Sequence, residues 1–135
     1  MGALALAVAL ARPHGARIPL AVGALLIGVA TTVPCSTGCP IPIVEATTAQ
    51  DLVHFAAAGT AFSLWPVATW AAATTGPLPR LSMATTSALA LLLTLLGPLT
   101  IVDPHGPLVA VGQRLLVLAA LAWLAAASAA LVTRP

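Results

Sequence analysis

The sequence predicts an all-α fold, a polytopic membrane protein built as a four-helix transmembrane bundle, and three observations predict it. Of 135 residues, 60% are hydrophobic and only 6% charged, with a mean hydropathy of +1.07, whereas a soluble domain carries about 25% charged residues. So few ionised side chains cannot coat a 13.4 kDa globule in water, and lipid must solvate most of its surface. Second, backbone polar groups in hydrocarbon must be paired internally, which leaves helices or a closed barrel. The apolar runs Ser87 to Leu96 and Leu115 to Ala127 lack the period-two alternation of barrel strands, and a chain without Tyr has no aromatic girdle. Third, Pro- and Gly-containing breaks divide the chain into four apolar segments.

Segment one runs from about Arg17 to Val33 and is apolar apart from Thr31 and Thr32. About 20 residues are needed to cross a core of roughly 30 Å, so its helix should begin nearer Ala11, despite Arg12, Pro13 and His14. Met1 to Ala11 is apolar but too short to cross alone. It lacks the positive n-region of a signal peptide and reads as a membrane-skimming or loosely ordered extension. The chain therefore divides into an N-terminal extension, 1–16, which can join helix one, and a four-helix domain, 17–134.

Pro34 to Ala46 (PCSTGCPIPIVEA) has the composition of an ordered loop. Thr48-Ala-Gln-Asp51 then fits a capping box, in which the Thr hydroxyl and the Asp carboxylate each accept a backbone N–H at a helix start. Segment two follows from Ala49 to about Ala73, with Pro66 inside it removing one backbone bond. TTGPLPR (74–80) is a turn, segment three runs from about Leu81 to Val102, and Asp103-Pro104-His105-Gly106 is a tight connection. Segment four, about Pro107 to Val132, ends in small residues, Ala125 to Ala130, that allow close helix approach. Trp65, Trp70 and Trp123 read as packing residues or interface anchors, Trp70 at the inner interface.

Charge sets the expected orientation. In a four-span chain Arg12, Arg17, Arg80 and Arg134 share one side, which the positive-inside rule makes cytoplasmic. Glu45, Asp51, Asp103 and both cysteines fall on the other. The expected location is the cell (inner or plasma) membrane, multi-pass, with both termini cytoplasmic and the Cys35/Cys39 loop outside. The partners expected are the lipid bilayer and either a membrane protein or further copies of the chain. Nucleic acid is excluded, because the five basic residues are scattered rather than clustered.

Chemistry is concentrated near that outer side. Arg114 lies about two turns into segment four, and an intramembrane guanidinium is expected to face the bundle interior and find a partner, with Asp51 the first candidate and Asp103 or Glu45 as substitutes. The plainer alternative is an Arg that snorkels and pins helices together. Asp51 and His54, spaced i, i+3, share a helix face continued by Phe55, Ala58 and Phe62. A carboxylate on one ring nitrogen would fix the tautomer, as suits a ligand or proton relay. His105 should lie at a similar depth, so that Asp51, His54, His105, Gln113 and Arg114 form one polar cluster. Against a ligand role, a single His near a helix end is usually an interfacial anchor. No established metal signature is present, so no cofactor is expected, with haem or a metal on His54 and His105 as the alternative.

Cys35 and Cys39 (CSTGC) are expected to form a disulfide in an outward, oxidising compartment, stapling the turn. The sharper reading is a redox dithiol like that of the quinone-linked four-helix thiol oxidases, although those carry C-x-x-C pairs. No nucleotide loop, nucleophile elbow or paired-carboxylate site is visible.

The C-x₃-C-P loop, the T-x-x-D-x-x-H start of segment two followed by Ala56 to Ala58 and Phe62, and Gly112-Gln113-Arg114 ahead of a Trp-containing last helix together resemble the bacterial membrane family known as domain of unknown function 998. The resemblance extends over roughly Ile18 to Leu131. It implies a multi-pass bundle and no particular reaction, and Asp51, His54 and Arg114 are the positions that match its polar pattern. The function expected is that of a non-enzymatic accessory or scaffolding bundle. The alternatives are a cofactor-, lipid- or quinone-binding membrane protein, with Arg114 holding an anionic group, and an outward-facing thiol redox protein.

Overall fold

In a computed structural model, which describes residues 14–42, 45–75 and 78–132, the chain forms α1 (His14–Thr32), α2 (Ala49–Thr75), α3 (Pro79–Val102) and α4 (Pro107–Val132). Each is long and apolar enough to cross a membrane, and no strand occurs among the described residues. The expected extension of the first helix beyond Arg17 is found as far as His14; the expectation for Met1 to Ala11 lies outside the described residues.

Successive helices pack against one another in antiparallel order, so the α1–α2 and α3–α4 connections lie at one end of the bundle and the α2–α3 connection at the other. Side-chain size is sorted in the direction lipid dictates. The buried positions are mostly small, with Ala16, Ala24, Ala57, Ala61, Ala68, Ala72, Ala120 and Ala127 inside, while Ile18, Leu25, Leu91, Leu108 and Leu118 are exposed. Lipid tails are as apolar as Leu, so large side chains gain nothing by turning inward, whereas small ones let backbones approach and collect dispersion contacts.

One core cluster, at the end of the bundle away from the long loop, joins Ala16, Leu20 and Ala24 of α1 to Ala68 and Ala72 of α2 and to Trp123, Leu124 and Ala127 of α4. A second joins Leu89 and Leu96 of α3 to Leu116 of α4. At Gly112 α4 packs tightly on α3: a β-carbon there would collide with the Leu96 side chain. Two polar bonds cross between helices in the interior. The indole N–H of Trp123 donates to the Ser82 hydroxyl at 3.0 Å, and the Thr69 and Thr86 hydroxyls share a bond of 2.7 Å.

Elsewhere hydroxyls such as those of Thr94, Thr100 and Ser128 donate to the carbonyl one turn earlier. That satisfies a polar group in hydrocarbon without a tertiary partner. Prolines lie inside three helices, Pro19, Pro66 and Pro98, and each helix continues through its proline. Of the tryptophans, Trp123 is buried, Trp65 is half-buried against both clusters, and Trp70 is exposed near the end opposite the long loop.

Candidate functional site: the capped loop end

The loop between α1 and α2 is organised by side chains from the first turns of α2. The capping box forms as its sequence predicts: the Thr48 N–H donates to Asp51 Oδ2 at 2.9 Å and the Asp51 N–H donates to Thr48 Oγ1 at 3.3 Å. Asp51 does more than cap its own helix. Ser36 N–H donates to Oδ1 at 2.7 Å, Ser36 Oγ–H to Oδ2 at 3.1 Å and Thr48 Oγ–H to Oδ2 at 2.7 Å. With 1% of its surface exposed, this carboxylate is a buried anion whose oxygens are occupied by loop donors. Such donors are what make a buried charge tolerable.

His54 performs the matching task for α1. Its Nδ1 lies 2.9 Å from both the Ala30 and the Val33 carbonyl oxygens. Both partners are acceptors, so Nδ1 carries the proton and donates. These carbonyls belong to the last turn of α1 and to the residue just after it, where the helix has no backbone donors left to offer them. Gln50 adds a further link, donating from Nε2 to the Pro34 carbonyl. The face of α2 that holds Asp51 and His54 therefore caps two helix ends at once.

Between these anchors Cys35 and Cys39 are joined in a disulfide with Cα atoms 5.0 Å apart, as the loop composition predicts. The Cys39 N–H donates to the Ser36 carbonyl at 2.9 Å. Gly38 at φ 88° and Cys39 at φ 50° turn the chain through the left-handed region. The second of these is sterically costly for a residue with a β-carbon. Cys35 is half-buried and Cys39 exposed. The two sulfurs and a ring nitrogen of His54 all lie within 4.8 Å of one another.

The remaining expected cluster members sit elsewhere. His105 reaches Glu45, Nε2 to Oε1 at 3.2 Å, joining the two connections at this end of the bundle. Glu45 also accepts from the Ile41 N–H at 2.9 Å. That bond first, and His105 second, hold the Glu45 carboxyl below its ordinary range. His54 and His105 share no partner, and His105 falls outside the cysteine-histidine group, so the described residues do not assemble a two-histidine ligand pair.

Arg114 differs from its expectation. It is exposed on α4, beside exposed Gln113, and pairs with neither Asp51, Asp103 nor Glu45. The reason is helical phase: Val109, Gly112, Leu116, Ala120 and Trp123 form the buried face of α4. Arg114, two residues beyond Gly112, is about 200° round the helix from it. Asp51, for its part, is already saturated by the loop.

Sequence reasoning missed Ser36 as the partner of Asp51, Glu45 as the partner of His105 and Ser82 as the acceptor for Trp123. A serine between two cysteines and an acid three residues after Pro42 carry no local signal of these particular tertiary bonds. The fold defines a multi-pass helical membrane protein with one polar, disulfide-containing end. No protein-family model, curated protein or solved structure matches the chain.

Proposed function

We propose that this protein is a non-enzymatic accessory or scaffolding bundle of a bacterial cell membrane, whose capped loop end presents a rigid surface to a membrane-protein partner or to further copies of the chain. The observation that carries this reading is the saturation of Asp51. The most polar position in the site spends both carboxylate oxygens holding Ser36 and Thr48 in place, and a group so committed supports shape rather than proton transfer. His54 is engaged likewise at Nδ1 by the end of α1. The resemblance to domain of unknown function 998 fits a bundle of this kind and adds no reaction. Arg17 and Arg80 near the end opposite the loop support a cytoplasmic position for that end by the positive-inside rule, with the loop outside.

The test compares Asp51→Asn with wild type in detergent and in cells. The reading expects a lower melting temperature together with loss of any cellular phenotype in proportion to lost folded protein. An Asp51→Asn protein as stable and as abundant as wild type, yet without the phenotype, would overturn it. Topology is checked separately with reporter tags, which should place both termini on the cytoplasmic side.

A further inference from the structure

The scaffolding reading leaves unexplained why an imidazole stands against the disulfide. We infer that the reduced form of this loop is a binding site for one thiophilic d¹⁰ cation, Zn²⁺ or Cu(I), held by the Cys35 and Cys39 thiolates and the imidazole of His54. The inference goes beyond the scaffolding reading and does not depend on it.

The donor set is the first support. Two thiolates and an imidazole form the kind of soft-to-borderline set that binds these ions, and the two sulfurs already lie within 4.8 Å of each other and of a ring nitrogen of His54. Metal–sulfur bonds of about 2.3 Å at a tetrahedral angle place two sulfurs about 3.8 Å apart. Cα atoms 5.0 Å apart allow that spacing through side-chain rotation alone.

The second support is the histidine's own setting. Because Nδ1–H donates to the Ala30 and Val33 carbonyls, the neutral ring keeps its lone pair on Nε2 and is fixed in orientation. Metal-ligating histidines are characteristically held by a carbonyl or carboxylate on the other nitrogen in this way. The third support is that the disulfide is not the loop's sole tie. Ser36, between the cysteines, is tied to Asp51 by two hydrogen bonds, and Pro34, just before them, accepts from Gln50. Cleaving the S–S bond leaves those ties intact and both thiols beside His54.

The chemistry balances simply. A phosphine reductant and one water convert the disulfide to two thiols and a phosphine oxide. Binding then releases two protons as the thiols become thiolate ligands. Oxidation to the disulfide removes two of the three ligands, so cation binding and disulfide formation exclude each other.

The experiment uses the full chain in detergent, reduced with a phosphine and titrated anaerobically with Zn²⁺ and, separately, with Cu(I). The expected result is one equivalent bound by the reduced protein with release of two protons, and no binding by the oxidised protein. Tight binding of only one of the two ions identifies which d¹⁰ cation the site takes. His54→Asn retains an N–H donor for the α1 carbonyls and removes the ring lone pair; it should weaken binding at least roughly tenfold, the lower bound set by loss of a ligand-orienting partner alone. Co²⁺ in place of Zn²⁺ reads the ligands in the unmutated chain, through a thiolate-to-cobalt charge-transfer band that a Cys35→Ser/Cys39→Ser protein lacks. Three results would overturn the inference: no binding of either ion by the reduced protein, equal binding by the oxidised protein, or affinity unchanged in a folded His54→Asn variant.

Discussion

The two helical hairpins of this bundle solve the same problem with different means. Between α1 and α2 the chain makes a long excursion held by side chains: Asp51 on Ser36 and Thr48, His54 on the end of α1, Gln50 on Pro34, and a disulfide. Between α3 and α4 it turns within Asp103 to Gly106 using the backbone, with the Gly106 N–H donating to the Asp103 carbonyl at 3.1 Å and the Gly106 carbonyl accepting from Val109 and Ala110. A β-carbon at position 106 would collide with the Asp103 carboxylate, so the short turn depends on glycine, whereas the long one adds polar side-chain ties to the turn at Gly38. A short connection costs little entropy to order, and a long one must be compensated by specific bonds. Damage to side chains should therefore harm the first hairpin more than the second.

The largest effect is expected for Asp51→Asn. An amide in this position turns one acceptor into a donor facing the Ser36 and Thr48 donors, so several bonds fail together. The melting temperature in detergent should fall by on the order of 10 °C, and proteolysis should cut within 33–48 before it cuts any helix. Equal loss of protection at 103–106 would break the contrast between the hairpins.

A smaller loss is expected for Ser82→Ala, on the side of the second hairpin facing the bundle core. The change removes the hydroxyl to which the buried Trp123 indole donates, at a cost of about 1–3 kcal/mol for a polar group deprived of its partner in an apolar interior. Denaturant unfolding should register it with the loop still protected from protease, which separates core damage from loop damage. A Trp123→Phe, Ser82→Ala double variant, lacking donor and acceptor alike, should recover part of the loss.

The elements were legible in the sequence because their signals are local. The capping box at Thr48 and Asp51, the Pro-rich break after Val33 and the turn at Asp103 mark helix ends through residue chemistry alone, and the observed helices begin and end within a few residues of those marks. The candidate site was legible only in part. Asp51, His54 and the disulfide gather at the loop because they lie close in sequence to it. The rest of the expected cluster required knowing the rotation of α4 about its axis, and an Ala/Leu helix that is apolar on every side carries no stripe from which to read it. Tertiary contacts fix that phase, among them Gly112 against Leu96 and the Trp123 bond to Ser82, and they place Gln113 and Arg114 outward.

Acid tests the bond that joins the two connections. The folded-state carboxyl of Glu45 is lowered, so its contribution is complete above the ordinary carboxylate range and is lost as pH falls through the folded value, where the unfolded chain has already taken up its proton. Glu45→Gln should leave stability near neutrality little changed and flatten the acid limb of the wild-type curve. Both groups are solvent-accessible, so the difference should be small and should shrink in high salt. A steeper acid limb in Glu45→Gln than in wild type would contradict the assigned sign.

The smallest effect is expected at the residue that stood out most in the sequence. Arg114 lies seven residues into α4, about 10 Å along its axis, within reach of the interface for a side chain that extends its guanidinium toward the polar headgroups. It is exposed and pairs with none of the three acids, so Arg114→Leu removes no bond within the bundle. Its melting temperature in detergent should stay within the roughly 0.5 kcal/mol expected of a surface substitution, and in a bilayer the variant should be neutral or slightly more stable. The pair Asp51→Asn and Arg114→Leu thus separates two accounts of the loop end: a buried Arg–Asp pair predicts similar losses from both, since removing either partner leaves the other charge uncompensated. Saturation of Asp51 by the loop predicts a large loss from one and almost none from the other.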